Sequence, residues 1–381
     1  MPWQTRDLMT LRREFIELAL REGANRRALC RHYGISPKTG YTLIARYQAE
    51  GDAALQNRSR RPLHSPDRTP PALEAAVVAL RRLHPAWGGR KICRRLQDLG
   101  HEEVPAPSTI THILRRHGLL GQEEAPTSAP QRFEHAEPNA LWQIDFKGYF
   151  ETAAGRCHPL TLLDDHSRFN LILKACDRMD SVTVQAGLVE VFERYGLPVR
   201  INADNGAPWG TPSAHGRSLS ELAIWLIRHG IRVSHSRPYH PQTNGKEERF
   251  HRSFKAEVLA GRSFENLERA QAAFDRWRTV YNCERPHEAL GLDTPIRHYQ
   301  PSKRPYHPAL RPIEYGPNDQ VVMVGWDGKV VFQGRRLRVS NALLRLPIAF
   351  RPVEMQDGVY DIFFCHHRLM RLNLHERDRL A

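Results

Sequence analysis

Three carboxylates, Asp145, Asp204 and Glu248, stand at positions where acids are costly or conspicuous. Asp145 lies inside Trp142-Gln143-Ile144-Asp145-Phe146, an apolar strand pattern in which burying a carboxylate is unfavourable unless a partner or a cation offsets it. Asp204 closes another short strand and runs straight into the Asn205-Gly206 turn, and strand ends are where ligand sites collect. Glu248 comes one turn into a helix announced by Pro241-Gln242-Thr243-Asn244-Gly245. Three hard oxygen ligands carried on different elements suit Mg²⁺ or Mn²⁺, which keep waters and accept substrate phosphate oxygens. Two such ions ~3.5–4 Å apart can activate an oxygen nucleophile and stabilise the leaving oxygen of an in-line displacement.

The elements that must position these acids follow a strand–helix alternation from Ala140 onward. Leu141–Phe150, Pro159–Leu163 and Arg168–Lys174 read as strands, followed by a helix over Ser181–Arg194 and a strand over Pro198–Ala203. A helix over Leu219–His229, a strand over Ile231–His235 and long helices over Asn244–Ala260 and Phe264–Tyr281 complete a mixed sheet flanked by helices. Asp164 and Asp165, ahead of His166-Ser167-Arg168, suit a structural turn network better than a metal. Asn205, His240, Gln242 and Asn244 lie near the acids and are candidates for orienting them or touching a polyanion. Tyr281, Asn282, Arg285, Pro286 and His287 are expected to pack the end of this core.

Upstream, two helical triplets are predicted. The first runs over Met9–Glu22, Arg26–Tyr33 capped by Asn25, and Lys38–Ala49 opened by Ser36-Pro37. Two short helices across a glycine-containing turn form a helix-turn-helix pattern, with Lys38, Thr39, Thr42 and Arg46 on the side expected to meet a DNA groove. The Pro/Arg-rich stretch that follows, with Arg58, Arg60 and Arg61, suits a linker that tracks phosphates. The second triplet is Leu73–Leu83, Gly89–Leu99 and Ser108–His117, and Gly121–Asn139 is a Pro/Ala/Glu-rich connector. Beyond a Pro-rich passage, Asp327-Gly328, Gln333-Gly334 and Asp357-Gly358 sit between alternating apolar segments as hairpin turns, so the C-terminal part reads as a small all-β, barrel-like domain. Arg335, Arg336 and Arg338 there are further candidates for DNA contact.

Composition agrees with this division. The chain of 381 residues carries a formal charge of +14, and residues 1–120 hold 21 Lys/Arg against 11 Asp/Glu. A basic first third ahead of a balanced body fits a nucleic-acid partner. No run reaches the ~18–20 uncharged apolar residues of a membrane helix, and the first residues do not resemble a secretory signal, so a cytoplasmic protein is expected, nucleoid-associated when on DNA. The six cysteines form no Cys-x-x-Cys pair. Adjacent His366 and His367 in an extended segment point to opposite faces, so no metal site is read there.

Taken together, "LWQIDFKG", "LTLLDDHSR", "INADNGAPW", "HPQTNGKEERFHRSFKAE" and "YNCERPHEAL" resemble the catalytic core of the DDE, retroviral-integrase-like superfamily, and most of all that of bacterial insertion-sequence transposases. The resemblance implies an α/β ribonuclease-H-like core over residues 140–294. Ahead of it stand all-α helix-turn-helix units at 1–56 and 72–120, joined by linkers at 57–71 and 121–139, and the β-domain follows at 313–381. It implies catalysis and binding of two Mg²⁺ or Mn²⁺ ions by Asp145, Asp204 and Glu248, the last three residues after Gly245. Helix geometry then sets Arg252 and Lys255 on the Glu248 face, available to DNA phosphates, with Glu247 directed elsewhere into solvent. Forty-three residues separate Asp204 from Glu248, more than the resemblance leads one to expect, and the excess is assigned to a loop over Ala207–Arg217.

The expected function is that of a transposase. It would bind terminal inverted repeats, cleave a phosphodiester and join the freed end to target DNA, acting as a homodimer or larger oligomer on double-stranded DNA. The competing reading is a non-catalytic DNA-binding regulator on the same scaffold, and a third is a structure-directed nuclease.

Overall fold

The computed structural model describes residues 7–58, 68–120, 135–204, 206–213, 216–235 and 245–376. The chain divides into two compact units, residues 1–68 and 69–381.

The first unit contains α1 (Leu8–Ala19), α2 (Arg26–His32) and α3 (Pro37–Glu50). Both predicted caps form: Asn25 Oδ1 accepts from Ala28 N at 3.1 Å, and Ser36 Oγ accepts from Thr39 N at 3.1 Å. These satisfy backbone donors that a helix start leaves orphaned. Phe15, Ile16, Cys30, Leu43 and Ile44 close the core. The α2–α3 approach needs Gly40, where a Cβ would lie 2.4 Å from Cys30 Sγ.

The second unit opens with α4 (Pro71–Leu83), α5 (Gly89–Asp98) and α6 (Pro107–Arg116). Gly89 permits the α5–α6 crossing, since a Cβ there would meet Pro107 O at 2.3 Å. This bundle is fixed to the rest of the unit. Arg94 reaches Asp293 at 2.7 Å, Arg95 reaches Glu284 at 2.5 Å, and Val280 packs against the bundle's apolar core.

The central sheet is built from β1 (Trp142–Phe146), β2 (Phe150–Thr152), β3 (Gly155–Asp164), β4 (Asn170–Cys176), β5 (Arg200–Ala203) and β8 (Arg232–His235). β3 pairs antiparallel with β1, β2 and β4, whereas β1–β5 and β5–β8 are parallel. Helices α7 (Ser181–Tyr195) and α8 (Glu221–Arg228) bury Val184, Leu188, Phe192, Leu222 and Leu226 against Trp142, Ile144, Leu160 and Leu162 on one face. On the other face α9 (Gly245–Phe254) and α10 (Leu267–Cys283) pack Phe250, Phe254, Phe274 and Trp277 against Cys157, Leu163 and Leu173. A π turn over Lys255–Leu259 extends α9.

The stretch expected to be an insertion loop, Ala207–Arg217, instead contributes to a separate two-stranded hairpin. Its strands are β6 (Gly210–Ser213) and β7 (Gly216–Leu219). Its Gly and Pro content conceals the strands in the sequence, and among the described residues they pair with each other and not with the central sheet.

The C-terminal part comprises β9 (Gln320–Met323), β10 (Lys329–Phe332), β11 (Arg335–Arg338), β12 (Pro347–Pro352), β13 (Val359–Phe364) and β14 (His367–Asn373). They form a four-stranded sheet in the order β14-β13-β12-β9 and the β10–β11 ribbon. Residues of both surround one apolar core, to which α8 contributes Ile224 and Ile227. The β-domain therefore packs on the α/β core through α8.

Candidate active site

Strand alternation decides which way the first acid faces. Ile144 and Leu162 enter the core under α7, so Asp145 and its register partner Thr161 point to the opposite face, where α9 lies. The parallel register Trp142↔Ile201 and Gln143↔Asn202, continued by two residues, brings Asp145 level with Asp204 at the carboxyl ends of neighbouring strands. That is one strand spacing, ~4.8 Å. Asp204 is fixed by its own turn: Oδ1 accepts from Gly206 N at 2.8 Å, and its carbonyl lies 2.9 Å from His235 Nδ1 at the end of β8.

Electrostatics mark this pair. Burial, with the Asp204 charge beside it, pushes the Asp145 carboxyl up to about 7. Two carboxylates held this close disfavour joint ionisation in the absence of a compensating cation.

The structure brings a further acid to the pair, and it is Glu247. Its residue is 2% exposed, and burial together with Asp145 raises its carboxyl well above the ordinary range. The Thr161 hydroxyl lies 3.1 Å from Glu247 Oε2, 3.1 Å from the Asp145 carbonyl and 3.0 Å from His251 Nε2. Glu247 Oε1 is buried without a hydrogen-bond partner among the described residues. The expectation that Glu247 is solvated is therefore corrected. The reason is helical phase: Glu247 stands three and seven residues before Phe250 and Phe254, which anchor α9 on the sheet. Those two phenylalanines were the clue in the sequence.

Glu248 and Arg252 are exposed on α9, and Lys255 is exposed at the start of the π turn that follows it. Lys147, half-buried at the end of β1, has its ammonium pushed down by burial and by Lys255. His251 is driven down to about 4 by burial and by Lys147. Among the described residues, no three His, Cys, Asp or Glu side chains converge on one metal position.

Asp164 and Asp165 form the structural network expected of them. Asp164 accepts from Ser167 N and Oγ and from Asn139 N. Asp165 accepts from His135 N and Gln143 Nε2 and pairs with Lys246 Nζ at 2.5 Å, with the Asp165 side chain 1% exposed. This ion pair ties the first turn of α9 to the end of β3 and was not foreseen. The end of the core packs as expected: Asn282 bonds the Asn170 backbone, and Arg285 pairs with buried Glu257 at 3.2 Å.

Of the groove candidates in the first unit, Lys38, Thr39 and Thr42 are exposed along α3. Arg46 is turned inward, 3.4 Å from Gln56 O and 3.7 Å from Glu50, and Arg58 also pairs with Glu50. Arg60, Arg61, Asn205, His240, Gln242 and Asn244 lie outside the described residues.

Integrase core domain families match residues 135–241 and 229–295, a Helix-turn-helix domain matches 11–62, and a Homeodomain-like domain matches 39–114. The C-terminal domain of IS481 family transposases matches 319–380. The chain is 27% identical over 243 residues to the insertion element IS476 39.2 kDa protein of Xanthomonas euvesicatoria, covering 61% of this chain and 67% of the relative. It is 25% identical over 253 residues to the insertion element IS407 31.7 kDa protein of Burkholderia multivorans, covering 63% and 86%. Among solved structures, a simian T-cell lymphotropic virus intasome chain is 16% identical with a TM-score of 0.39, covering 75% of this chain and 91% of that one.

Proposed function

Because this chain belongs to the bacterial insertion-sequence transposases of the DDE, integrase-like superfamily, we propose that it binds the terminal inverted repeats of a mobile element, cleaves their ends and joins them to target DNA. The observation that carries this reading is Asp145 on β1 with Asp204 just past the end of the neighbouring β5, close enough that burial and the Asp204 charge push the Asp145 carboxyl up to about 7. Two neighbouring carboxylates, one pushed up by burial and by the other's charge, are hard oxygen donors whose repulsion a divalent cation relieves.

Asp145, Asp204 and Glu248 are assigned as the ligands of Mg²⁺ or Mn²⁺. When bound, the ions would activate the attacking oxygen and neutralise the leaving one. Glu248 is favoured over Glu247 because it is exposed, as are Arg252 one turn on and Lys255 at the start of the π turn, so that DNA phosphates can approach it. Glu247 lies beneath, against Thr161. Arg252 and Lys255 hold the phosphate on either side of the scissile bond, and Lys147 adds positive charge at the end of β1.

Two displacements at phosphorus follow. In the first, water oxygen bonds to the phosphorus at the element end, the P–O3′ bond breaks and the 3′ oxygen takes up a proton. In the second, that 3′-hydroxyl attacks a target phosphorus and loses its proton, the target P–O3′ bond breaks and the departing target 3′ oxygen takes up a proton. One acid cluster serves both, without a covalent protein–DNA intermediate. Lys38, Thr39 and Thr42 on α3 are assigned to recognition, and joining two ends calls for at least a dimer on DNA. Incubating the protein with labelled inverted-repeat duplexes tests the reading: Mg²⁺ should yield recessed 3′-hydroxyl ends and joined products. Absence of both across Mg²⁺ and Mn²⁺ would overturn it.

A further inference from the structure

We infer that the β10–β11 ribbon and the turn before it form a separate nucleic-acid surface, on which Trp326 stacks an unpaired base while Lys329, Arg338 and Arg345 hold its flanking phosphates. The inference rests on the transposase reading for the presence of DNA, but concerns residues remote in sequence from the acids.

The ribbon register is Lys329↔Arg338, Val330↔Leu337, Val331↔Arg336 and Phe332↔Arg335. Val330 and Phe332 are buried in the domain core, so alternation sends Lys329, Val331, Arg336 and Arg338 to the outer face. Trp326, in the β9–β10 turn at the end of this face, is 77% exposed, and the Arg345 guanidinium lies 4.9 Å from its ring centroid. Asp327 is the acid within this group, and it is already engaged: Oδ1 accepts from Lys329 N at 3.2 Å and Oδ2 takes Arg336 at 2.5 Å. Arg338 makes one 3.5 Å contact with Asn341 Oδ1. The acids Asp319 and Asp361 are held elsewhere by Arg351 and Arg371. Arg335, which the sequence grouped with Arg336 and Arg338, is diverted inward to the carbonyls of Leu374 and Glu376.

A large indole left in water, with Arg345 over its ring and Lys329 and Arg338 on the adjoining ribbon, none of the three paired with a carboxylate among the described residues, calls for a ligand with a π face and anionic groups next to it. A nucleotide in a strand meets that description, since every base offers a π face and arginine adds a cation–π contribution. A base inside an intact duplex is already stacked on both sides, so the occupant is one that has left the stack.

The test uses the full chain and two probes: a single-stranded oligonucleotide carrying 2-aminopurine, and a blunt duplex of the terminal repeat. Trp326→Ala should weaken single-strand binding about tenfold, which is ~1.4 kcal/mol, and abolish the stacking change in 2-aminopurine fluorescence. Trp326→Phe should keep both within threefold, and duplex affinity should stay within twofold in each variant. Wild-type single-strand affinity in Trp326→Ala overturns the inference, as does equal loss on both probes or a change in self-association alone. A wild-type chain that binds neither probe overturns the transposase reading as well. Duplex binding with a Trp326-independent single-strand mode overturns this inference alone.

Discussion

Glu247 faces Asp145 across the interface between β1 and α9, where burial, with the charge of Asp145 added to it, raises the Glu247 carboxyl well above its usual range. The Thr161 hydroxyl lies between the two, within 3.1 Å of the Asp145 carbonyl and of Glu247 Oε2. Adjacent Glu248 is on the outer side of the same helix. These positions separate the two glutamates experimentally. Glu247→Gln replaces a carboxyl whose charged form burial disfavours with a neutral amide that keeps an acceptor for Thr161, so it should raise the Tm of the metal-free protein by a few degrees and leave strand transfer within about threefold. Glu248→Gln should leave Tm unchanged and lower strand transfer at least a hundredfold. The reverse pattern would give the ligand role to Glu247.

The raised Asp145 carboxyl predicts the pH dependence of the metal-free fold. Its folded pKa of about 7 lies above the unfolded ~3.9, so the folded state binds more protons between these values. Its contribution to stability is therefore fully present below pH ~4 and is lost as pH rises through about 7. Melting in a chelator should show Tm falling over this window, with a smaller slope in Asp145→Asn. Added Mg²⁺ should raise Tm more at pH 8 than at pH 5.5, and a Tm that climbs with pH in chelator would contradict the site's electrostatics.

Lys246 and Asp165 fix the start of α9. Lys246→Met leaves Asp165 buried without its cation, a loss of ~3 kcal/mol in unfolding free energy. Asp165→Asn in the same chain should recover part of that loss. A double-mutant cycle by chemical denaturation checks this, and additive single effects would show that the pair does not anchor the helix.

DNA contact on α3 should be graded by where each cation points. Lys38→Ala should reduce the slope of log K against log salt on a repeat duplex by about 0.9, one phosphate contact. Arg46→Ala should leave that slope unchanged and lower Tm instead, because its guanidinium faces Gln56 and Glu50. Salt titrations by fluorescence anisotropy distinguish the two outcomes.

The strand–helix order of the core was legible in the sequence because its strands are short apolar runs and its helices start at Asp180 and Ser220, which form side-chain caps. Asp145 and Asp204 were legible because an acid within or just after an apolar strand is conspicuous. The placement of Glu247 was obscured by its neighbour Glu248, since choosing between adjacent glutamates requires the phase of the helix on the sheet. Phe250 and Phe254 set that phase through packing. Asp165–Lys246, Arg95–Glu284 and the seating of the β-domain on α8 join residues far apart in the chain, and local patterning carries no trace of such pairings. The turns at Asp327-Gly328 and Gln333-Gly334 predicted the β10–β11 ribbon, whereas the inward path of Arg335 depends on the carbonyls of Leu374 and Glu376.

The measurement that bears most directly on the acid cluster is strand transfer of a labelled inverted-repeat end into supercoiled target DNA with Mg²⁺ or Mn²⁺, comparing wild type with Asp145→Asn, Asp204→Asn and Glu248→Gln. Each variant should bind the end with wild-type affinity and show neither 3′-end cleavage nor joining. Full activity in any of the three would contradict the assignment of that carboxylate, and full activity in both aspartate variants would contradict the mechanism.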